Sequence, residues 1–332
     1  MKVIIPVAGM GTRLRPHTHT APKVLLQVAG KPILGHILDE IKTFDDVSEV
    51  TFIIGYMGEM IEEYVKKHYS FKTNFVTQEK MLGLGHAIHL TAQYNRGDEP
   101  VLIILGDTIF KADFSEILKN DSSYIGVKEV EDPKRFGIVE LENGYIKNVF
   151  EKPDHPTSNL AIVGIYYLLA PNLLFDSLDY IIDNDLRTKD EYQLTDALEL
   201  MLKKKHKMKT FKIDEWLDCG KPETLLATNK ALLEMKFKNN NISLAEKYKN
   251  SIFVPPVFVD KDAKIKNSII GPYTSISKGT VVENSIIMNS IISRDSNVKE
   301  VVLNEAIIGN NSHITGNSFK LNIGDNSGID FK

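Results

Sequence analysis

The chain has 332 residues, of which 42% are hydrophobic and 25% charged, a globular composition with enough apolar residues for a large core and a length that suggests two domains. A formal net charge of −4 provides no basic excess, which argues against nucleic acid or a membrane surface as partner. A single cysteine, Cys219, excludes an internal disulfide, disfavours a thiolate metal site and fits a reducing, cytoplasmic setting.

The first apolar run, Val3 to Gly9, has only Lys2 as a cation ahead of it. It is too short for a signal-peptide core and reads as a buried strand. No stretch approaches the roughly 18 apolar residues of a membrane span. Short β-branched runs at Val3–Val7, Val50–Ile54, Asn74–Val76 and Val101–Leu105 alternate with helical patterns at Ile33–Phe44, Met57–His68 and His86–Tyr94. That alternation predicts an α/β, Rossmann-like mixed sheet, mostly parallel, with helices on both faces. The segments Tyr124–Val130, Phe136–Leu141 and Tyr145–Phe150, with a tight break at Asn143-Gly144, read as antiparallel strands, and Ile162–Leu169 as another. Leu194–Leu202 and Thr224–Phe237 read as amphipathic helices, and the polar run 238–241 as a linker.

Beyond about residue 250 the pattern changes. Ile270, Ile276, Val282 and Met288 recur every six residues, and phrases such as Asn267-Ser268-Ile269-Ile270 and Asn284-Ser285-Ile286-Ile287 repeat. A six-residue period with polar corners predicts a parallel β-helix, with about 18 residues per three-sided coil and about four coils. The phase slips between Met288 and Ile308, and a meandering β-sandwich is the alternative. The domains are therefore expected at residues 1–238 and 250–332. The flat faces of the tail and its end near Leu321–Phe331 need capping or pairing, which predicts a homo-oligomer.

The segment Val7-Ala8-Gly9-Met10-Gly11-Thr12-Arg13-Leu14-Arg15-Pro16 follows the first strand directly. Glycines there let backbone N–H groups approach a phosphate chain. The spacing is neither Walker A nor a full dinucleotide fingerprint, since Leu14 stands where the third glycine would be. Arg13 can grip phosphoryl oxygens bidentately, and Lys23, in Pro22-Lys23, can act as a point charge. Such a loop suits a triphosphate. Asp107, in Leu105-Gly106-Asp107-Thr108, follows the strand Val101–Leu105, where ligands bind in open α/β sheets. The Gln78 amide, donor and acceptor at once, can pair with the imide edge of thymine or uracil, and Gly83 would let a base lie against bare backbone.

Gly9-Met10-Gly11-Thr12-Arg13-Leu14-Arg15-Pro16, Thr20-Ala21-Pro22-Lys23-Val24-Leu25-Leu26 and Lys31-Pro32-Ile33 together closely resemble the signature of the sugar-1-phosphate nucleotidyltransferases, over roughly residues 1–235. The tail resembles the left-handed β-helix of the longer members, among them glucose-1-phosphate thymidylyltransferases. The resemblance implies nucleotide contacts at Ala8, Gly9, Gly11, Thr12, Gln78 and Gly83, and Mg²⁺ held by Asp107 and by Asp218 of Trp216-Leu217-Asp218-Cys219-Gly220. It also implies a sugar-phosphate site at Gly137, Glu151, Lys152 and Tyr166. Two departures stand out. Cys219 replaces the family's usual threonine, and an arginine common before the Thr-Asp pair is absent, its place lying near Lys189 and Arg187.

The reaction so implied is attack of a sugar-1-phosphate oxygen on the α-phosphorus of a nucleoside triphosphate, with Arg13 and Lys23 as catalytic cations. Lys128–Pro133 and Arg135-Phe136-Gly137 resemble the long thymidylyltransferases and favour dTTP with glucose-1-phosphate. Gly83-Leu84-Gly85-His86-Ala87 is close to uridylyltransferases, which keeps UTP as a competitor. Two other readings are a non-catalytic member of the fold and a second, acyl-transfer activity using His313, the single histidine of the tail.

Overall fold

The computed structural model describes residues 1–115, 117–119, 122–238, 241–248, 250–316 and 321–330. Two residues of the expected linker, Asn239 and Asn240, and the terminal Phe331 lie outside them. By packing, the chain divides into two compact units, one of Met1–Gly9 with Ile37–Trp216, the other of Met10–His36 with Leu217–Lys332. The expectation drew its boundary along the covalent chain, whereas packing returns residues 10–36 to the unit that holds the tail.

In chain order the elements are β1 (Lys2–Pro6), β2 (Gln27–Val28), β3 (Lys31–Pro32), α1 (Ile33–Ile41), β4 (Glu49–Ile54), α2 (Gly58–His68) and β5 (Thr73–Thr77). There follow α3 (Leu84–His89), α4 (Ala92–Asn95), β6 (Val101–Ile104), β7 (Thr108–Lys111), β8 (Ser123–Glu129), β9 (Gly137–Glu142), β10 (Tyr145–Glu151) and β11 (Leu160–Leu168). Last before the tail come α5 (Pro171–Asp183), α6 (Leu194–Lys203), β12 (Met208–Lys212), β13 (Glu215–Asp218), α7 (Pro222–Phe237) and α8 (Asn241–Lys247).

The first unit is built on a nine-stranded sheet ordered β10-β9-β11-β6-β1-β4-β5, with β8 against β11 and β12 against β8. Strand β1 runs parallel to β4 and β6, and β4 parallel to β5. Strand β11 is antiparallel to β6, β8 and β9, which makes the sheet mixed. Helices cover the parallel half, so β1, β4 and β6 are buried and read as continuous apolar runs. The expected helix His86–Tyr94 is two pieces, α3 and α4. The fully buried Thr91 between them donates its hydroxyl to the Ile88 carbonyl at 2.7 Å and competes with the helical ladder. The sequence reading passes over α5, where Pro171 opens the helix and Leu174, Phe175, Leu178 and Ile181 bury one stripe.

In the second unit the tail is a parallel β-helix of the left-handed kind expected, its short strands stacking into three sheets. The inward column Ile265, Val282, Val298, Ile314, Ile329 pairs in register, so successive coils take 17, 16, 16 and 15 residues rather than 18. Shortened corners explain the phase slip. Ile287, not Met288, is the fully buried residue, paired with Ile270, and Met288 is half-buried. The repeated Asn-Ser phrase has a physical basis. Asn267, Asn284 and Asn289 take left-handed φ values of 49, 50 and 48° at corners, which asparagine tolerates. The serine that follows is buried. Ser268 Oγ donates to the Lys266 carbonyl at 2.8 Å and accepts the Ser285 amide of the next coil at 3.1 Å. Ser285 repeats this with Glu283 and Val301. Helix α8 covers the first coil, and Tyr248 after it donates to the Ala263 carbonyl at 2.8 Å and packs on Phe253.

The coil phase can be tested by truncation. Ile287→Ala should cost about 2–5 kcal/mol in urea unfolding, whereas Met288→Ala should cost under about 1 kcal/mol. The reverse order would mean that the six-residue phase continues unbroken.

Candidate active site

The glycine-rich loop lies mostly in the second unit. Gly11 has φ 61°, and a Cβ there would lie 2.8 Å from Lys23 Cβ and 3.0 Å from Thr18 Cγ2. Its bareness lets the stem of the buried Lys23 cross the loop. Thr18 Oγ1 donates to the Gly11 carbonyl at 2.9 Å and Leu14 N–H to the same oxygen, closing a tight turn that leaves Thr12 and Arg13 exposed. Residue Asp218 belongs to the same unit. Its Oδ1 accepts the Gly220 amide at 2.9 Å, and its carbonyl accepts the Thr228 hydroxyl of α7 at 3.0 Å. A Cβ on Gly220 would meet Asp218 Oδ1 at 2.9 Å and an Arg13 guanidinium nitrogen at 3.2 Å. Arg13 and Asp218 therefore meet over one bare glycine. The departure at Cys219 is fully buried.

In the first unit, Ala8 and Gly9 follow β1 and Asp107 follows the neighbouring parallel strand β6. The loop after β6 is held by Gly106 N–H on the Pro6 carbonyl at 3.2 Å and Leu105 N–H on the Gly164 carbonyl at 2.9 Å. Gly164, at φ 85°, leaves no room for a Cβ, which would sit 2.5 Å from Leu105 Cδ1. Gly55 packs in the same way on Ala8, whose carbonyl would be 2.7 Å from its Cβ. A Cβ on Gly9 would meet nothing within 4 Å.

Gln78 and Gly83 come together: the buried Gln78 donates Nε2–H to the Gly83 carbonyl at 3.3 Å. Next to them, burial holds the His86 imidazole below its ordinary pKa, with His89 and Lys80 adding to the effect, so the ring is neutral at pH 7. Gly83, at φ 105°, caps α3, and its Cβ would lie 2.6 Å from the Tyr192 carbonyl oxygen. Tyr192 laces this turn by its backbone, donating to Leu82 O at 2.9 Å and accepting from Gly85 N at 2.8 Å. The space a side chain at position 83 would take is thus occupied by Tyr192.

Gly137 and Glu151 are register partners across β9 and β10. A Cβ on Gly137 would lie 3.3 Å from Glu151 Oε2 and 3.2 Å from Thr195 Cγ2. The Thr195 hydroxyl donates to Glu151 Oε2 at 3.1 Å, and Lys152 Nζ, half-exposed, lies 3.1 Å from Glu151 Oε1. Burial and the Glu151 charge push the Tyr166 phenol well above its ordinary pKa, so it stays protonated. Burial, with Glu151 and Glu199 nearby, also raises the Asp196 carboxyl. Arg187 donates to Asp185 at 2.7 Å and stacks over the Tyr192 ring, and Lys189 donates to Asp154 at 3.2 Å. The sequence reading missed Thr195, Tyr192, Gly55 and Gly164 as supports. Positive φ at the glycines carries no signal of its own, and Thr195 was visible only as a neighbour of Asp196.

Among the described residues no group of three or more His, Cys, Asp or Glu side chains forms a self-sufficient metal cage. Asp107 and Asp218 each carry hard carboxylate oxygens of the kind Mg²⁺ takes, with substrate phosphates commonly supplying the remaining ligands.

These features define an α/β protein with a mixed sheet, a glycine-rich loop after its first strand and a β-helix tail. The nucleotidyl transferase family matches residues 2–235, and the chain belongs to that family. Among its relatives, the bifunctional protein GlmU of Methanococcus vannielii is 35% identical over 246 residues, 70% of this chain and 55% of that one. The UTP–glucose-1-phosphate uridylyltransferase AglF of Haloferax volcanii is 32% identical over 234 residues, 67% of this chain and 93% of the other. The chain spans about half the length of the GlmU relative. A crystal structure of UDP-glucose pyrophosphorylase complexed with UDP-glucose superposes with a TM-score of 0.60 at 28% identity, over 71% of this chain and 99% of that one.

The two glycines of the site should separate packing from ligand room. Gly83→Ala meets a carbonyl at left-handed φ and should lose about 1–3 kcal/mol of stability in urea. Gly9→Ala should stay within about 0.5 kcal/mol of the parent, so that any loss of ligand binding there reports contact with the ligand. Equal destabilisation of both would remove the distinction.

Proposed function

We propose that the chain transfers a nucleotidyl group from a pyrimidine nucleoside triphosphate to a sugar-1-phosphate and releases pyrophosphate. The observation that supports this reading is the meeting of Arg13 and Asp218 over Gly220, where the guanidinium would face a polyphosphate and the carboxylate its accompanying metal. Asp107 and Asp218 would hold Mg²⁺. When bound, the ion would polarise the α-phosphate and neutralise its charge. Arg13 would stabilise charge on the departing pyrophosphate, Lys23 the α-phosphate and Lys152 the sugar phosphate. The nucleophile is already anionic, so no general base is needed. Positioning and charge neutralisation do the work. Gln78, its Nε2 held at Gly83, would present its carbonyl oxygen to the N3–H shared by thymine and uracil. Glu151, oriented by Thr195, would take sugar hydroxyls beside Gly137 and Tyr166.

On sequence resemblance, dTTP with glucose-1-phosphate comes first. The names of AglF and of the superposed pyrophosphorylase favour UTP. The two bases differ by a methyl group, which is worth only about 1–3 kcal/mol of discrimination. A matrix of dTTP, UTP, ATP, CTP and GTP against several sugar-1-phosphates, scored by kcat/KM for pyrophosphate release, tests the proposal. A pyrimidine triphosphate should lead, and Asp107→Asn or Asp218→Asn should lower the rate by about 10²–10³ with the fold intact. A purine triphosphate in front would sink the base assignment. Near-normal rates in the aspartate variants would sink the metal assignment.

We also propose a homo-oligomer in a reducing, cytoplasmic setting; no described helix is long and apolar enough to cross a membrane. One outer column of the β-helix is Ile252, Ile269, Ile286 and Val302, in register, with Ile252 and Val302 exposed. A second face is polar, bearing Lys264, Lys266, Glu283, Lys299 and the exposed His313. An uncharged, repeating aliphatic column matches a second copy of itself across a two-fold axis. Sedimentation should show an oligomer that Ile269→Glu with Ile286→Glu disperses. Monomer alone at micromolar concentration would defeat it.

A further inference from the structure

The turn that follows the glycine-rich loop does not end in solvent. It rests on the last described coil of the β-helix, within the second unit. The buried His17 shares a hydrogen bond between its Nε2 and Asn322 Oδ1. The Thr20 hydroxyl donates to Asp325 Oδ2. Between these two contacts the backbone of Gly324 lies under Pro16, so close that a Cβ would stand 2.9 Å from Pro16 Cβ. Three residues of the coil, Asn322, Gly324 and Asp325, therefore meet three of the loop, His17, Pro16 and Thr20.

The coil side of this contact is fixed by its own ladder. Asp325 Oδ1 accepts the Asn310 amide of the preceding coil, Ser312 Oγ donates to the Gly324 carbonyl at 2.9 Å, and Gly309 N–H donates to the Ile323 carbonyl at 2.6 Å. The loop side leads directly to the cations. Thr18, between His17 and Thr20, bonds the Gly11 carbonyl, and Gly11 makes room for the stem of Lys23, with Arg13 two residues on. Burial holds the His17 imidazole below its ordinary pKa, against the opposing effects of the Asn322 hydrogen bond and the Asp325 charge.

We propose that Asn322 and Asp325 are positioning residues for the phosphate-binding loop, acting through His17 and Thr20, so that the β-helix sets the placement of Arg13 and Lys23. An exposed glycine-rich loop has many conformations, and a support on its far side reduces the ordering that ligand binding must otherwise supply. The kinetic part of this inference rests on the nucleotidyl-transfer reading. The structural part does not.

The test uses the full chain with Asp325→Ala, Thr20→Val, Thr20→Ser and Asn322→Ala. Hydrogen exchange of residues 10–23 should accelerate about tenfold or more in Asp325→Ala and Thr20→Val, and stay near the parent in Thr20→Ser, which keeps the hydroxyl. The triphosphate KM should rise about tenfold in the same two variants with the sugar-phosphate KM unchanged. Asn322→Ala leaves the Asp325–Asn310 bond in place and serves if Asp325→Ala fails to fold. Folded variants with parental exchange across 10–23, or Thr20→Ser as impaired as Thr20→Val, would overturn the proposal. A parent chain that turns over no substrate pair would overturn the functional reading, and the exchange measurement would still decide whether the coil supports the loop.

Discussion

A single buried carboxamide joins the parts of the second unit. Asn229, 1% exposed on α7, accepts the Ala29 amide at 2.9 Å and the Ser275 hydroxyl at 2.7 Å on Oδ1, and donates Nδ2–H to the Tyr273 carbonyl at 3.1 Å. It satisfies the β2–β3 turn, where Ala29 and Gly30 take φ values of 46 and 83°, and two groups of the β-helix at once. A buried amide without such partners would cost about 1–3 kcal/mol per group, so the three contacts favour one arrangement strongly. Phe258 completes the joint. Its ring fills the space beside Gly30, where a Cβ would lie 2.3 Å away, and packs edge-on against Phe237. Residues 10–36 and the chain after Asp218 are far apart in sequence, yet this joint keeps Arg13, Lys23 and Asp218 in one body.

The tail that anchors this joint is held by two ladders of different kinds. Inward aliphatic columns bury the apolar surface, and the corner serines satisfy the amides that irregular corners would leave unpaired. Each serine bonds one carbonyl of its own coil and one amide of the next. The coils can then shorten from 17 to 15 residues while the inward columns stay aligned. The irregular period that blurs the repeat in the sequence is absorbed at the corners, not in the sheets.

In the first unit one short segment braces two separate turns. Residues 191–195 close the Gly83 turn with the Tyr192 backbone and, three residues on, orient Glu151 with the Thr195 hydroxyl. Gly83, Gly85 and Gly137 are bare because this segment or its neighbours press against them, whereas Gly9 is bare with open space beyond it. Glycines that look alike in a motif have different surroundings: close packing at Gly83 and open space at Gly9.

What the sequence by itself determined is what short-range patterns encode. Most strand and helix types across the first 235 residues, α5 excepted, follow from periods of about 2 and 3.6. The parallel β-helix follows from its six-residue period and corner phrases, whereas the Gln78 bond to the Gly83 carbonyl and the register of Gly137 with Glu151 are read only from the structure. What only the tertiary structure decided depends on contacts between distant residues. It assigned most of the glycine-rich loop to the unit of the β-helix, made Ile287 rather than Met288 the core residue, broke the helix at Thr91, set Tyr192 against Gly83 and Thr195 on Glu151, and joined Asn229 to Ala29 and Ser275. The physical reason is the same in each case. A buried hydrogen bond or a missing Cβ is defined by which partner arrives from elsewhere in the chain, and a local pattern carries no record of that partner.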